Sequence, residues 1–99
     1  MNTHKGKKIL IIRFSSIGDI VLTTPVIRCL RQQLGAEIHF LVKKQFAIVL
    51  SDNPFIEKIH EFDGDLFSTG QTLRRENFDM VVDLHKNLRS FVFRILLFK

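Results

Sequence analysis

The residues best suited to chemistry lie in two polar loops, each of which directly follows a run of aliphatic residues. The first loop, residues 14–19, follows the run 8–13 and contains two hydroxyls, one glycine and one carboxylate. The second loop, residues 85–90, follows the run 78–84 and contains basic, amide and hydroxyl side chains. A carboxylate can accept a proton, and basic side chains bind anions, so these loops are the candidate functional segments.

Asp19 ends the first loop and has two interpretations. As an acidic residue at a helix start it stabilises the helix by roughly 0.5–2 kcal/mol. As a general base it removes the proton of an attacking hydroxyl. Ser15 and Ser16 are likewise either turn residues or ligands, while Gly18 adds flexibility beside backbone N–H groups that favour an anion. The loop has neither the G-x-G-x-x-G pattern of dinucleotide sites nor the GK[ST] ending of Walker loops.

Three basic residues, Arg13, Lys86 and Arg89, lie at or just past the carboxyl ends of predicted buried strands. A solvated surface explains each of them taken alone. If they converge on one crevice, they favour a phosphate or carboxylate site, because the arginine fork matches both groups with two hydrogen bonds.

Histidine and cysteine give no sign of a metal site or a disulfide. No second histidine or cysteine stands at metal-ligand spacing from His85, and His4, His39 and His60 form no pattern. The single Cys29 excludes an intrachain disulfide and fits a reducing compartment.

Alternating strand-like and helix-like segments must position the two loops. The predicted strands are residues 8–13, 37–42, 56–62 and 78–84, and the predicted helices are residues 20–34, 45–50, 66–77 and 89–98. The first and fourth strands have the continuous apolar pattern of strands covered on both faces, whereas the third alternates like an edge strand. Pro25 interrupts the first helix, which restarts or kinks there, and Gly35 ends it.

This rhythm predicts an α/β fold, an incomplete doubly wound parallel sheet built from right-handed βαβ units. The sheet is expected to be incomplete because the sequence stops inside an apolar segment. In the usual winding order the first and fourth strands are neighbours, so the two loops should face each other across one crevice.

Length and composition indicate one globular domain in the cytoplasm. The 99 residues are 45% apolar and 25% charged, unlike a disordered chain. The net charge of +5 permits an anionic partner, but the charge is scattered and no nucleic-acid-binding motif occurs, so no nucleic-acid partner is expected. No apolar run reaches the roughly 18 residues of a membrane span, and the run after the basic start is too short for a signal peptide.

Residues 8–25 closely resemble the opening of the ADP-heptose:lipopolysaccharide heptosyltransferases, glycosyltransferase family 9. The resemblance is carried by the core S-S-x-G-D-x-x-x-T-x-P, which begins at Ser15. Residues 78–84, followed by Asn87 and the pair Arg89 and Ser90, are similar to the family's fourth strand and its loop. The likeness covers almost the whole chain from Lys7 onward.

The resemblance implies a GT-B enzyme, with two Rossmann-like domains facing a cleft. Residues 8–99 would be part of the N-terminal, acceptor-side domain after a basic extension, residues 1–7, with the donor-binding domain absent. The reaction would be inverting and metal-independent, using ADP-heptose as donor, no cofactor, and the lipid A inner core as acceptor. Asp19 would be the catalytic base, and the implied substrate-binding residues are Arg13, Ser15, Ser16, Gly18, Lys86, Asn87 and Arg89.

Members of the family are several times longer, so this polypeptide alone is expected to lack transferase activity. The alternative is a non-catalytic module that holds an acidic glycolipid or a membrane surface at the cytoplasmic face of the inner membrane. Residues 91–98 would then be either an interfacial helix or, as we expect, a severed core helix, because their apolar side chains surround the axis.

Overall fold

The computed structural model describes residues 7–14 and 17–84, which form a parallel sheet with flanking helices. The strands are β1 (Lys8–Ile12), β2 (Glu37–Lys43), β3 (Lys58–Phe62) and β4 (Met80–Asp83). The helices are α1 (Ile17–Leu22), α2 (Thr24–Leu34), α3 (Ala47–Leu50) and α4 (Leu66–Arg75), and a 3₁₀ turn, Lys44–Phe46, leads into α3. The predicted α/β class is confirmed, whereas the predicted segments 85–90 and 89–98 lie outside the described residues.

The strand order is β3-β2-β1-β4, so the winding direction reverses between β1 and β4. Ile11 pairs with Phe40 of β2 on one side and with Val82 of β4 on the other. The predicted neighbourhood of the first and fourth strands is therefore confirmed. In open α/β sheets the crevice at such a reversal, beyond the carboxyl ends of the strands, is where ligands bind.

One face of the sheet carries the apolar core. Side chains alternate between the two faces of a strand, so every second residue of β1 and β2 points to this core. It comprises Ile9, Ile11, Ile38, Phe40 and Val42 from these strands, together with Ile20, Val26, Ile27, Ala47 and Leu50 from α1, α2 and α3. Packing of the first three helices on this face holds the start of α1 beside the carboxyl end of β1.

The helical region after β1 divides at Thr23, as the proline predicts. Helix α1 ends at Leu22 and α2 begins at Thr24, with Pro25 in its first turn, where the missing N–H costs no hydrogen bond. The Thr23 hydroxyl donates to the carbonyl of Ile20 at 2.5 Å. Gly35 ends α2 with φ of 62°, and its N–H donates to the carbonyl of Arg31.

Strand β4 is more exposed than its apolar sequence predicts. Met80 is 43% and Val81 56% exposed, so the prediction of a strand covered on both faces is wrong for these two residues. The physical reason is position, because β4 stands at the end of the order of the described strands and pairs with β1 alone. The residues of a strand show how apolar it is, but they do not show whether a second strand pairs with its other side.

Within residues 7–14 and 17–84, no helix combines the length and the apolar character that crossing a membrane requires. The longest, α2, has 11 residues.

Replacing Gly70 by alanine is expected to stabilise the chain. Gly70 is an exposed residue inside α4, and an added Cβ would meet no atom within 4 Å. Alanine in a helix interior gains about 0.5–1 kcal/mol over glycine, which corresponds to a rise in Tm of about 2–8 °C for a domain of this size. Thermal denaturation followed by circular dichroism measures the shift. Gly35→Ala is the matched control and should lower Tm, because the left-handed φ at Gly35 disfavours a side chain; an unchanged Tm for Gly70→Ala would contradict the prediction.

Candidate functional site

Arg13 joins the ends of three strands at the point where the winding order reverses. Its backbone N–H donates to the carbonyl of Leu41 at 3.2 Å, which continues the pairing of β1 with β2. Its guanidinium Nη1 donates to the carbonyl of Leu84, the residue after β4, at 3.0 Å. The predicted position of Arg13 at the carboxyl edge of the sheet is therefore confirmed.

Asp19 lies in the first turn of α1 and pairs with Arg13. The Asp19 Oδ2 accepts a hydrogen bond from Arg13 Nη2 at 2.8 Å, and the aspartate side chain keeps 29% of its surface exposed. The carboxylate in the first turn of α1 thus reaches the guanidinium of the residue that follows β1. The arrangement is a carboxylate with an adjacent counter-charge, open to solvent at the ligand-binding edge of the sheet.

Both interpretations of Asp19 fit this geometry. A first-turn carboxylate interacts favourably with the positive end of the helix dipole, so a contribution of Asp19 to the stability of α1 is expected. The same carboxylate is positioned to accept a proton from a group bound in the crevice, provided that group comes within hydrogen-bond reach. The predicted catalytic role remains a prediction.

The structure describes three of the predicted site residues: Arg13, Gly18 and Asp19. Gly18 is an exposed residue of α1. A Cβ there would meet no atom within 4 Å, so no neighbouring group fills the space beside it. The remaining five predicted site residues, Ser15, Ser16, Lys86, Asn87 and Arg89, lie outside the described residues. Of the described candidates, the fold brings Arg13 and Asp19 into contact.

A pair of stacked aromatic rings lies at the same edge and was not identified from the sequence. The rings of Phe14 and Phe62 have centroids 5.0 Å apart and an interplanar angle of 13°. Phe14 follows β1 and its carbonyl accepts from the N–H of Lys43, while Phe62 is the last residue of β3. The available signal was that each phenylalanine closes a strand, which places both at the carboxyl ends.

A buried pair of histidines, also missed, lies on the face of the sheet opposite to the core. His39 Nδ1 and His60 Nε2 are 2.9 Å apart, and His39 Nε2 is 2.8 Å from Glu37 Oε2. Burial, and then the neighbouring His39, lower the pKa of His60 below 6.5. His39 lies opposite Lys58, and Leu41 lies opposite His60, so the two histidines are diagonal neighbours on paired strands. That relation depends on register, which the sequence does not show.

No protein-family model matches the chain. The chain is 32% identical over 97 residues to lipopolysaccharide heptosyltransferase 1 of Campylobacter coli, which covers 90% of this chain and 28% of the relative. It is 36% identical over 78 residues to lipopolysaccharide heptosyltransferase 3 of Escherichia coli (strain K12), which covers 68% of this chain and 23% of the relative.

Solved structures agree with the sequence comparison. The glycosyl transferase family 9 protein from Veillonella parvula has the same fold, with a TM-score of 0.74 at 22% identity over 91% of this chain and 29% of that one. The E. coli heptosyltransferase WaaC with ADP superposes with a TM-score of 0.67 at 25% identity, over 77% of this chain and 27% of that one. The chain is related to the lipopolysaccharide heptosyltransferases. The resemblance to glycosyltransferase family 9 that the S-S-x-G-D core predicts is thereby confirmed.

The chain spans 28% and 23% of the lengths of the two curated heptosyltransferases. The relationship therefore concerns about a quarter of such a protein. Within that quarter, the described residues that could take part in chemistry at the carboxyl edge of the sheet are Arg13 and Asp19.

Proposed function

We propose that this chain is the N-terminal, acceptor-side part of a GT-B heptosyltransferase that transfers heptose from ADP-heptose to the lipopolysaccharide inner core. Residues 1–7 would be a basic extension, and residues 8–99 part of the acceptor-side domain. The observation that carries the proposal is the contact between Asp19 and Arg13 at the reversal of the sheet order. Support for the chemistry comes from the relatives, which are heptosyltransferases, one of them solved with ADP.

Asp19 would act as the general base. As the acceptor hydroxyl oxygen forms a bond to the anomeric carbon of heptose, its proton passes to the Asp19 carboxylate. The bond between that carbon and the phosphate oxygen breaks, and ADP leaves with the electron pair, which inverts the anomeric carbon. Removing the proton as the bond forms typically contributes about 10²–10⁴-fold to the rate.

Arg13 would position Asp19 and supply positive charge near the acidic groups of the substrates. Its Nη2 holds one carboxylate oxygen, and its Nη1 is anchored on the carbonyl of Leu84, so the guanidinium is fixed from two sides. Two hydrogen bonds to different groups restrict the orientation of the guanidinium, and the one to the carboxylate is charge-assisted. Lys86, Asn87 and Arg89, together with Ser15, Ser16 and Gly18, would complete the substrate contacts.

The proposal predicts that the 99-residue chain has no turnover by itself, whereas a chimera does. The 99 residues correspond to about a quarter of the curated heptosyltransferases, so ADP release from ADP-heptose in the presence of inner-core acceptor should stay at background. Replacing the corresponding quarter of E. coli heptosyltransferase WaaC by this chain should give measurable ADP release. Unmodified WaaC is the control. Turnover by the chain alone would contradict the inactivity of the fragment. A folded chimera without turnover would contradict the transfer function and favour the non-catalytic glycolipid-binding module.

A further inference from the structure

We propose that His39, His60 and Glu76 bind a divalent transition-metal ion such as Zn²⁺ or Co²⁺. One ligand atom of each residue lies within 4.8 Å of the others, although the three residues come from β2, β3 and the segment after α4. Imidazole nitrogen and carboxylate oxygen are the donor set that such ions take in proteins. The site is distinct from the carboxyl-edge pair of Asp19 and Arg13 and goes beyond the proposed transfer function.

The spacing of the two rings suits one shared ion. His39 Nδ1 and His60 Nε2 are 2.9 Å apart. With metal–nitrogen bonds of about 2.0–2.1 Å, two ligands at right angles stand about 2.9 Å apart and two tetrahedral ligands about 3.3 Å apart. The separation of the two nitrogens would therefore change by only a few tenths of an ångström, and the rings would turn to aim both lone pairs at the ion. The proton that bridges the rings would move, through solvent, to the other nitrogen of His60.

Glu37 supplies the outer partner that metal-binding histidines usually have. Its Oε2 lies 2.8 Å from His39 Nε2, and a carboxylate can only accept, so Nε2 carries the proton. In the neutral ring this leaves the lone pair of His39 on Nδ1, the nitrogen that faces His60. A carboxylate that orients a ligating histidine in this way raises the basicity of the ligand and fixes its tautomer.

Glu76 would add a negatively charged ligand to the two histidines. In the structure two lysines form ion pairs with this carboxylate. Lys8 Nζ lies 2.7 Å from Glu76 Oε1, and Lys58 Nζ lies 3.6 Å from Oε2. The hydrogen bond from Lys8 lowers the pKa of Glu76. A metal ion would use the oxygen facing Lys58, an exposed side chain that can move into solvent, and would compete with the charge of Lys8.

A groove gives a metal ion access to the site, and a bound ion would stabilise the position of α4. His60 and Lys58 line a groove of about 370 Å³ between β3 and the polar residues Thr69 and Thr72 of α4. None of the residues of α4 is buried, so its attachment to the sheet is weak. An ion held by β2, β3 and Glu76 would fasten the end of α4 to the sheet.

Cobalt titration of the tag-free chain, followed by the visible d–d absorption of bound Co²⁺, tests the site. We expect one bound Co²⁺ per chain, displaced by one Zn²⁺, and loss of the absorption in His60→Gln and in Glu76→Gln. Glu37→Gln should weaken binding by about 10–100-fold, as outer carboxylate partners do. Glu57→Gln and His4→Gln are the matched controls and should bind like the parent.

Three results would overturn the proposal: no cobalt absorption in the parent, unchanged binding by His60→Gln or Glu76→Gln, or an equal loss in His4→Gln. Circular dichroism of the metal-free proteins separates lost ligation from lost folding. If His60→Gln does not fold, the near-isosteric Glu76→Gln decides the outcome.

Discussion

Asp19→Asn in a full-length heptosyltransferase that carries this segment is expected to lower kcat for heptose transfer by about 10²–10⁴-fold. Asparagine has nearly the same shape, and its carbonyl oxygen can still accept from Arg13, so the geometry at the strand ends should persist. What it lacks is the ability to take up the proton of the acceptor hydroxyl. The effect should appear in kcat more than in KM, measured by ADP release with saturating donor and acceptor.

Loss of a base can be distinguished from loss of structure. Asp52→Asn is the matched control, because it makes the same chemical change at an exposed residue in the turn after α3. It should leave kcat unchanged. If the Asp19→Asn enzyme kept the activity of the parent, Asp19 would not be the base, and its role would be to stabilise the start of α1.

Phe40→Ala is expected to cost about 3–5 kcal/mol of the free energy of unfolding, because it leaves a cavity in the core. Phe40 is 0% exposed at the centre of β2, where it is paired with Ile11 on one side and Ile59 on the other. A chain of this length has a total stability of only about 5–15 kcal/mol. The variant should therefore be partly unfolded at temperatures where the parent is folded.

Urea denaturation followed by circular dichroism measures this loss as a lower midpoint. Phe67→Ala is the matched control, because Phe67 is 76% exposed at the start of α4 and its removal should change stability by no more than about 0.5 kcal/mol. Equal midpoints for the two variants would mean that the core is not centred on β2. A change in the slope of the free energy of unfolding against urea concentration would instead indicate an altered unfolded or native ensemble.

Local signals predict most of the elements. The aliphatic runs at residues 8–13 and 37–42 become β1 and β2, Pro25 marks the restart of the helix, and Gly35 marks its end. These features depend on side-chain shape and backbone freedom within a few residues, and such effects act on the chain before any distant contact forms. The exposure of β4 was not predicted, because it depends on how many neighbours a strand has.

The candidate site shows the same division. The residue types of Arg13 and Asp19, and their positions at a strand end and a helix start, follow from the sequence. Their contact at 2.8 Å requires the start of α1 to lie beside the end of β1, and the anchoring of Arg13 on Leu84 requires β4 to lie beside β1. Arg13 and Leu84 are 71 residues apart, a separation at which no local pattern reports contact.

The order of strands and helices along the chain, the ends of α2 and the resemblance to the heptosyltransferases could be predicted, because each is carried by residues close together in the chain. The meeting of His39, His60 and Glu76, the ion pair between Arg13 and Asp19, and the position of β4 at the edge of the described strands are visible only in the folded chain. Strand register and helix packing produce them, since parallel strands joined through helices bring together side chains that no local preference connects.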